Sequence, residues 1–204
     1  LPNWMRPDFR RVYGDKRLLV NRETGSVISG HAAVEDLGTG GRKTVWIWDE
    51  MAKFPRGQDE AAISSTGPTS DSRMMISTYK GVDNAYYRIA KYPGATKKVV
   101  LRWEDTPTQN KPLFKIHAGR PTLIDGEVST EEYKKVVENW DKIREQLEEV
   151  NHSFSPDKLI SPWYIKECLR PGHSPQYMAQ EHDRSPEGTT HQFFNAVKVE
   201  STRF

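Results

Sequence analysis

Two places in the chain put oxygen-bearing side chains directly after a short apolar run, and both types of residue can do phosphate chemistry. Val45-Trp46-Ile47-Trp48 ends in Asp49-Glu50, and Met74-Met75-Ile76 ends in Ser77-Thr78. A strand that delivers Asp and Glu at its carboxyl end offers one carboxylate to hold hydrated magnesium and a second to take a proton from an attacking water. Hydroxyls ending a neighbouring strand would sense a γ-phosphate or hold that water by hydrogen bonds. The position has a physical reason: in open α/β sheets, side chains leave the core at the carboxyl edge of the strands, and ligands bind in the crevice there. Each pair also has a plainer reading, the first as an acidic turn and the second as a Ser-Thr turn capping the following helix. The capping role and the functional role of Ser77 and Thr78 are compatible.

Other residues attract attention and are set aside on physical grounds. The loop Gly38-Thr39-Gly40-Gly41-Arg42-Lys43-Thr44 has the composition of a phosphate-binding loop but not its pattern. Arg42 stands before the lysine, and a strand follows where a helix N-terminus would be needed to cradle phosphate. Glu181, His182 and Asp183 are metal-friendly types, yet consecutive residues at a helix end point in different directions, and they read as a solvated terminus; His191 adds little to them. The doublets Arg10-Arg11 and Lys16-Arg17 read as ordinary surface rather than contacts to DNA phosphates. Trp46 and Trp48 read as core packing rather than base-stacking platforms.

The elements that must position the two polar pairs follow from pattern. Residues 17–30 read as a hairpin about Arg22-Glu23-Thr24-Gly25, where glycine supplies a positive φ. Residues 45–48 and 74–76 read as buried parallel strands, side by side with their polar ends in register, separated by a crossover with a short helix near Asp59–Ile63. A helix over 82–91 and another strand over 97–103 continue the rhythm of a parallel α/β sheet. Beyond it, Ser129-Thr130-Glu131-Glu132 begins a long amphipathic helix to about Val150, with Tyr133, Val136, Val137, Trp140, Ile143 and Leu147 on one stripe. Ser161-Pro162 and Ser174-Pro175 each place a capping hydroxyl before a first-turn proline, so short helices are expected near 162–170 and 175–182.

Composition sets the outer limits. The 204 residues are 35% hydrophobic and 28% charged, with a formal net charge of +2, enough for a core and too balanced for a polybasic nucleic-acid binder. The single cysteine, Cys168, excludes an internal disulfide and a cysteine-rich zinc site, and it reads as a buried or half-buried helix residue in a reducing compartment. No run reaches the roughly 18 apolar residues of a membrane helix, and Leu1–Arg11 carries no signal-peptide core. Because the chain opens on Leu1 in mid-stride, a further segment is expected upstream.

Taken together, GSVISGHAAVEDLGTGGRKTVWIWDEMAKFP and MMISTYKGVDNAYYRIA resemble the second half of the ATPase domain in large terminase subunits. That family shows a strand ending in Asp-Glu, then an apolar strand ending in Ser-Thr-Pro-x-Gly and an Asn-aromatic helix; here Tyr79 stands where proline is common. SPWYIKECLR, PQYMAQEHD and GTTHQFF are similar to its Trp-Tyr helix and Ala-Gln-Glu-x-Asp segment, which lead from motor to nuclease. The resemblance covers most of residues 15–195, with an insertion at about 105–160 and the start of a linker over 196–204. It implies an α/β fold with a mainly parallel sheet of the RecA-like, additional-strand P-loop ATPase type, lacking the P-loop half and more helical towards the C-terminus.

By the same resemblance, Asp49 coordinates magnesium through water, Glu50 is the catalytic base, and Ser77 with Thr78 form the motif that couples hydrolysis to motion. The implied activity is an ATP- and Mg-driven motor that packages double-stranded DNA into a bacteriophage procapsid. Its implied partners are the portal protein, the small terminase subunit and further copies in a ring, in the host cytoplasm and transiently docked on the procapsid, with no membrane. The family's P-loop lysine and nuclease acidic cluster have no counterpart here. A silent α/β scaffold or interaction module, and a helicase-like ATPase, are the alternative readings.

Overall fold

In the computed structural model, residues 9–12, 17–32 and 41–186 are described. The chain divides into two units, Leu1–Ser77 and Thr78–Phe204.

In the first unit, β1 (Phe9–Val12), β2 (Arg17–Asn21) and β3 (Val27–Gly30) form an antiparallel meander in that order. The expected hairpin is its second half. Asn21 closes the turn: its Oδ1 accepts from the backbone N–H of Glu23 at 2.9 Å and of Thr24 at 3.3 Å, the local bonding that makes Asn a turn residue. Gly25 follows at φ +70°.

The next strand, β4 (Trp46–Asp49), runs parallel to β5 (Arg73–Ile76), with Trp46 opposite Arg73 and Asp49 opposite Ile76. Between them lie a 3₁₀ turn at Met51–Lys53, α1 (Gln58–Thr66) and a second 3₁₀ turn at Gly67–Thr69. The crossover is fastened to the strand it leaves: the Trp46 indole N–H donates to Thr69 Oγ1 at 2.9 Å, and Ser70 Oγ donates to Thr44 O at 3.2 Å. Both strands were expected to be buried throughout. Instead β4 alternates, with Trp46 and Trp48 buried and Ile47 56% exposed, and Met74 and Ile76 of β5 are also exposed. A parallel sheet buries both faces only when layers cover both, and here one face of a two-stranded ribbon is bare.

The second unit begins with α2 (Ala85–Lys91), capped by Asn84, whose Oδ1 accepts from Tyr87 N–H at 2.8 Å. The strand expected over 97–103 is absent. Tyr92-Pro93-Gly94 turns the chain, with Thr96 N–H donating to Pro93 O at 2.8 Å, and Val99 and Leu101 are left 72% and 86% exposed. A β-branched run becomes a strand only where a neighbour completes its ladder, and none does so here. The mainly parallel sheet is therefore corrected: among the described residues the only parallel pairing is β4 with β5, and the other pairings are antiparallel.

The core of this unit lies on a second antiparallel sheet, in the order β7 (Arg120–Asp125), β6 (Leu113–His117), β8 (Leu159–Ile160). Against it pack α3 (Glu131–Glu138), α4 (Trp140–Glu149), α5 (Pro162–Cys168) and α6 (Pro175–Glu181). Phe114, Ile160, Tyr164, Leu147 and Cys168 are each at most 2% exposed, and Trp103 stacks on Tyr164 with centroids 5.0 Å apart. Residues from 105–160 share this core with Trp103, Tyr164 and Met178. Burying a large aromatic such as Phe114 is worth roughly 3–5 kcal/mol against truncation to alanine.

The single long helix expected from Thr130 to Val150 is two helices. The cap sits one residue later than the box Ser129–Glu132 places it: Thr130 accepts from Tyr133 N–H at 3.2 Å. Asn139 then leaves helical geometry at φ −103°, ψ 16°, and its side chain donates to Lys135 O at 3.0 Å, so that it competes with the backbone ladder. The apolar stripe survives the break, with Val136, Trp140 and Leu147 all buried. The Ser-Pro starts hold: Ser161 and Ser174 accept from Tyr164 N–H and Tyr177 N–H at 3.1 and 3.2 Å. Among the described residues no helix is long and apolar enough to cross a membrane.

Candidate functional site

At the carboxyl end of β4 the chain turns within one residue. Asp49 is the last strand residue, and Glu50 takes the left-handed conformation at φ 53°, ψ 39°. That region costs a residue with a Cβ about 1–2 kcal/mol, and the following residues hold it in place. Met51 and Ala52 are 0% and 5% exposed, and Lys53 N–H donates to Glu50 O at 2.8 Å. Asp49 and Glu50 remain exposed, as chemistry at a strand edge requires. The Glu50 carboxylate rests 3.2 Å from the Lys53 ammonium.

The end of β5 comes to the same turn. Ser77 Oγ accepts a hydrogen bond from Ala52 N–H at 3.1 Å, so the hydroxyl after the second strand is tied to the second residue after the acidic pair. The sequence reading brings Asp49, Glu50, Ser77 and Thr78 to one strand edge, and in the structure the first three share it. Thr78 begins the second unit; its Oγ1 is buried and has no hydrogen-bond partner. Gly41, at φ +82°, leads through irregular chain into β4, so the described end of the glycine-rich loop, 41–44, runs into a strand and not into the helix N-terminus a P-loop uses. Gly38–Gly40, His191 and the 196–204 linker lie outside the described residues, as does Lys16.

No family model, curated protein or solved structure matches this chain.

A second cluster, in the second unit, was not foreseen. Glu167, His173 and His182 each bring one potential ligand atom to within 4.8 Å of the others. In sequence, His182 groups with its neighbours Glu181 and Asp183 as a solvated helix end. In the structure, Asp183 accepts from the Tyr164 hydroxyl at 2.8 Å and pairs with the Lys158 ammonium, so it faces the core. Burial first, and the Asp183 carboxylate second, push the Tyr164 phenol far above its ordinary range; the same two causes push the Cys168 thiol up to about 12. Glu181 accepts from Gln180 at 2.8 Å. His182 turns the other way, towards α5. The partners are separated by spacings of six and nine residues across a loop, which no helical or zinc-finger pattern encodes, so the sequence held no signal for them.

Proposed function

We propose that this chain is the distal part of an ATP-hydrolysing motor of the terminase large-subunit type, moving double-stranded DNA into a procapsid. The observation that carries the reading is the hydrogen bond from Ala52 N–H to Ser77 Oγ, made where Asp49 stands in parallel register with Ile76. It fastens a hydroxyl-bearing strand end to an acidic strand end, the arrangement a hydrolytic site needs if the state of a phosphate is to be passed from one strand to the next.

The donors at this edge are exposed carboxylate and hydroxyl oxygens, the chemistry that suits magnesium held through its own waters. Bound there with ATP, the ion would offset the charge developing on the phosphate oxygens. Asp49 would hold the ion's water shell, and Glu50 would orient the lytic water and take its proton. The Lys53 ion pair is a surface pair worth about 0–1 kcal/mol, so Glu50 can be released from it at little cost. Ser77, bonded to the turn after Glu50, and Thr78, with an unspent hydroxyl, would report the phosphate's loss to the rest of the chain. The reading brings with it the RecA-like additional-strand fold, a P-loop supplied by another segment, and a ring of subunits working with a portal protein and a small terminase subunit.

The test is DNA-stimulated ATP hydrolysis by the longest natural polypeptide that contains this chain, native against Glu50→Gln. Removing a general base should lower turnover by about 10²–10⁴-fold, with nucleotide binding retained. Unchanged turnover, or none in the native protein, rejects the reading in favour of an α/β scaffold.

A further inference from the structure

We infer that Glu167, His173 and His182 form a site for a divalent d-block ion of the zinc type, one that clips α5 to the end of α6. Two imidazoles and a carboxylate are the ligand set for such ions, and three protein ligands leave a fourth position for water. Ligand atoms around a tetrahedral zinc stand roughly 3.4 Å apart for bonds of about 2.1 Å. The three candidate atoms here lie within 4.8 Å of one another, so an ion would draw them closer together.

Two observations mark the cluster as more than a chance meeting. His182 Nε2 is buried and has no hydrogen-bond partner, an expense that folded proteins seldom leave standing without use. His173 is oriented from within the cluster: its Nδ1 donates to Glu167 O at 3.0 Å and also lies 3.4 Å from Glu167 Oε2. A backbone carbonyl on one ring nitrogen is the usual support of a metal-binding histidine, because it fixes the tautomer that leaves Nε2 with its lone pair.

The rings are also held before any ion arrives. His182 meets Trp163 edge-on at 5.1 Å and Tyr177 at 5.8 Å, and His173 lies against Tyr177 with centroids 4.1 Å apart. Glu167 is 8% exposed, and a buried carboxylate needs a cation. Arg170 partly supplies one, 3.0 Å from Oε2. An incoming ion has to share that oxygen with Arg170, so the expected affinity is micromolar rather than the far tighter binding of a closed structural site.

The experiment is titration of the full 204-residue chain with zinc chloride by calorimetry, and with cobalt(II) by visible absorption, in a buffer containing 10 mM magnesium. The expected result is one ion per chain, cobalt bands of low coordination number, and a rise in melting temperature on adding zinc. His182→Ala and Glu167→Gln should each weaken binding at least tenfold and abolish the melting shift, while His117→Ala leaves both intact. Far-UV circular dichroism checks that the variants fold; should Glu167→Gln fail to, His173→Gln replaces it. No stoichiometric binding, binding lost to magnesium, or binding that survives His182→Ala overturns the inference. None of these readouts uses ATP, so they are independent of the role proposed for Glu50.

Discussion

Glu50 holds two properties that pull in opposite directions: an exposed carboxylate at the end of a strand and a backbone that glycine would adopt more easily. Its φ of 53° is tolerated because the buried Met51 and Ala52 and the Ser77 hydroxyl fix the turn around it. Strain of this kind gathers where function needs a particular direction of exit from a strand. Glu50→Gly should therefore remove the hydrolysis proposed for this site and yet leave the fold as stable as before or more stable by up to about 1 kcal/mol, as αL relief is partly offset by the unfolded-state entropy of glycine. Chemical denaturation of the two forms measures it, and a loss beyond about 1 kcal/mol would mean that the Lys53 ion pair or the side chain itself supports the turn.

At the scale of elements, β4 is the informative strand, since its neighbours in sequence face different surroundings. Trp48 is 3% exposed and Ile47 is 56% exposed. Trp48→Ala should cost about 3–5 kcal/mol as a core truncation, and Ile47→Thr less than about 0.5 kcal/mol as a surface change. Equal losses in urea melts would show that something covers the outer face in solution. The same alternation limits what could be read beforehand. Val45-Trp46-Ile47-Trp48 is apolar throughout, which announces a strand but not which face is covered, because coverage depends on layers that the strand does not encode. The parallel register of β4 and β5 was legible from the two polar ends. The break at Asn139 was not, because the stripe of Val136, Trp140 and Leu147 continues in phase across it. The β6–β7 hairpin also went unread. Its two-residue turn is Ala118-Gly119, both at positive φ, and alanine stands where Asn or Asp would have given the signal.

At the scale of the molecule, the apolar core among the described residues is unevenly shared. The aromatic and aliphatic cluster from Trp103 to Met178 belongs to the second unit, and its helices carry side-chain caps at Asn84, Thr130, Ser161 and Ser174. A fragment of residues 78–186 should therefore unfold cooperatively by itself, with a sigmoidal loss of near-UV tryptophan signal that coincides with the far-UV transition. A broad, non-coincident loss would show that this core depends on residues 1–77. The candidate motor residues Asp49, Glu50 and Ser77 fall in the other unit, so the part that would hydrolyse and the part that supplies most of the packing can be altered separately.

The hairpin tip has one more consequence. Gly119 O accepts from the Trp140 indole N–H at 2.8 Å, which binds a two-residue turn to the first residue of α4. Adding or deleting one residue there would invert every later side chain of β7 and pull that acceptor away from Trp140. Across the descendants of this gene, length variation has no room at residues 118 and 119.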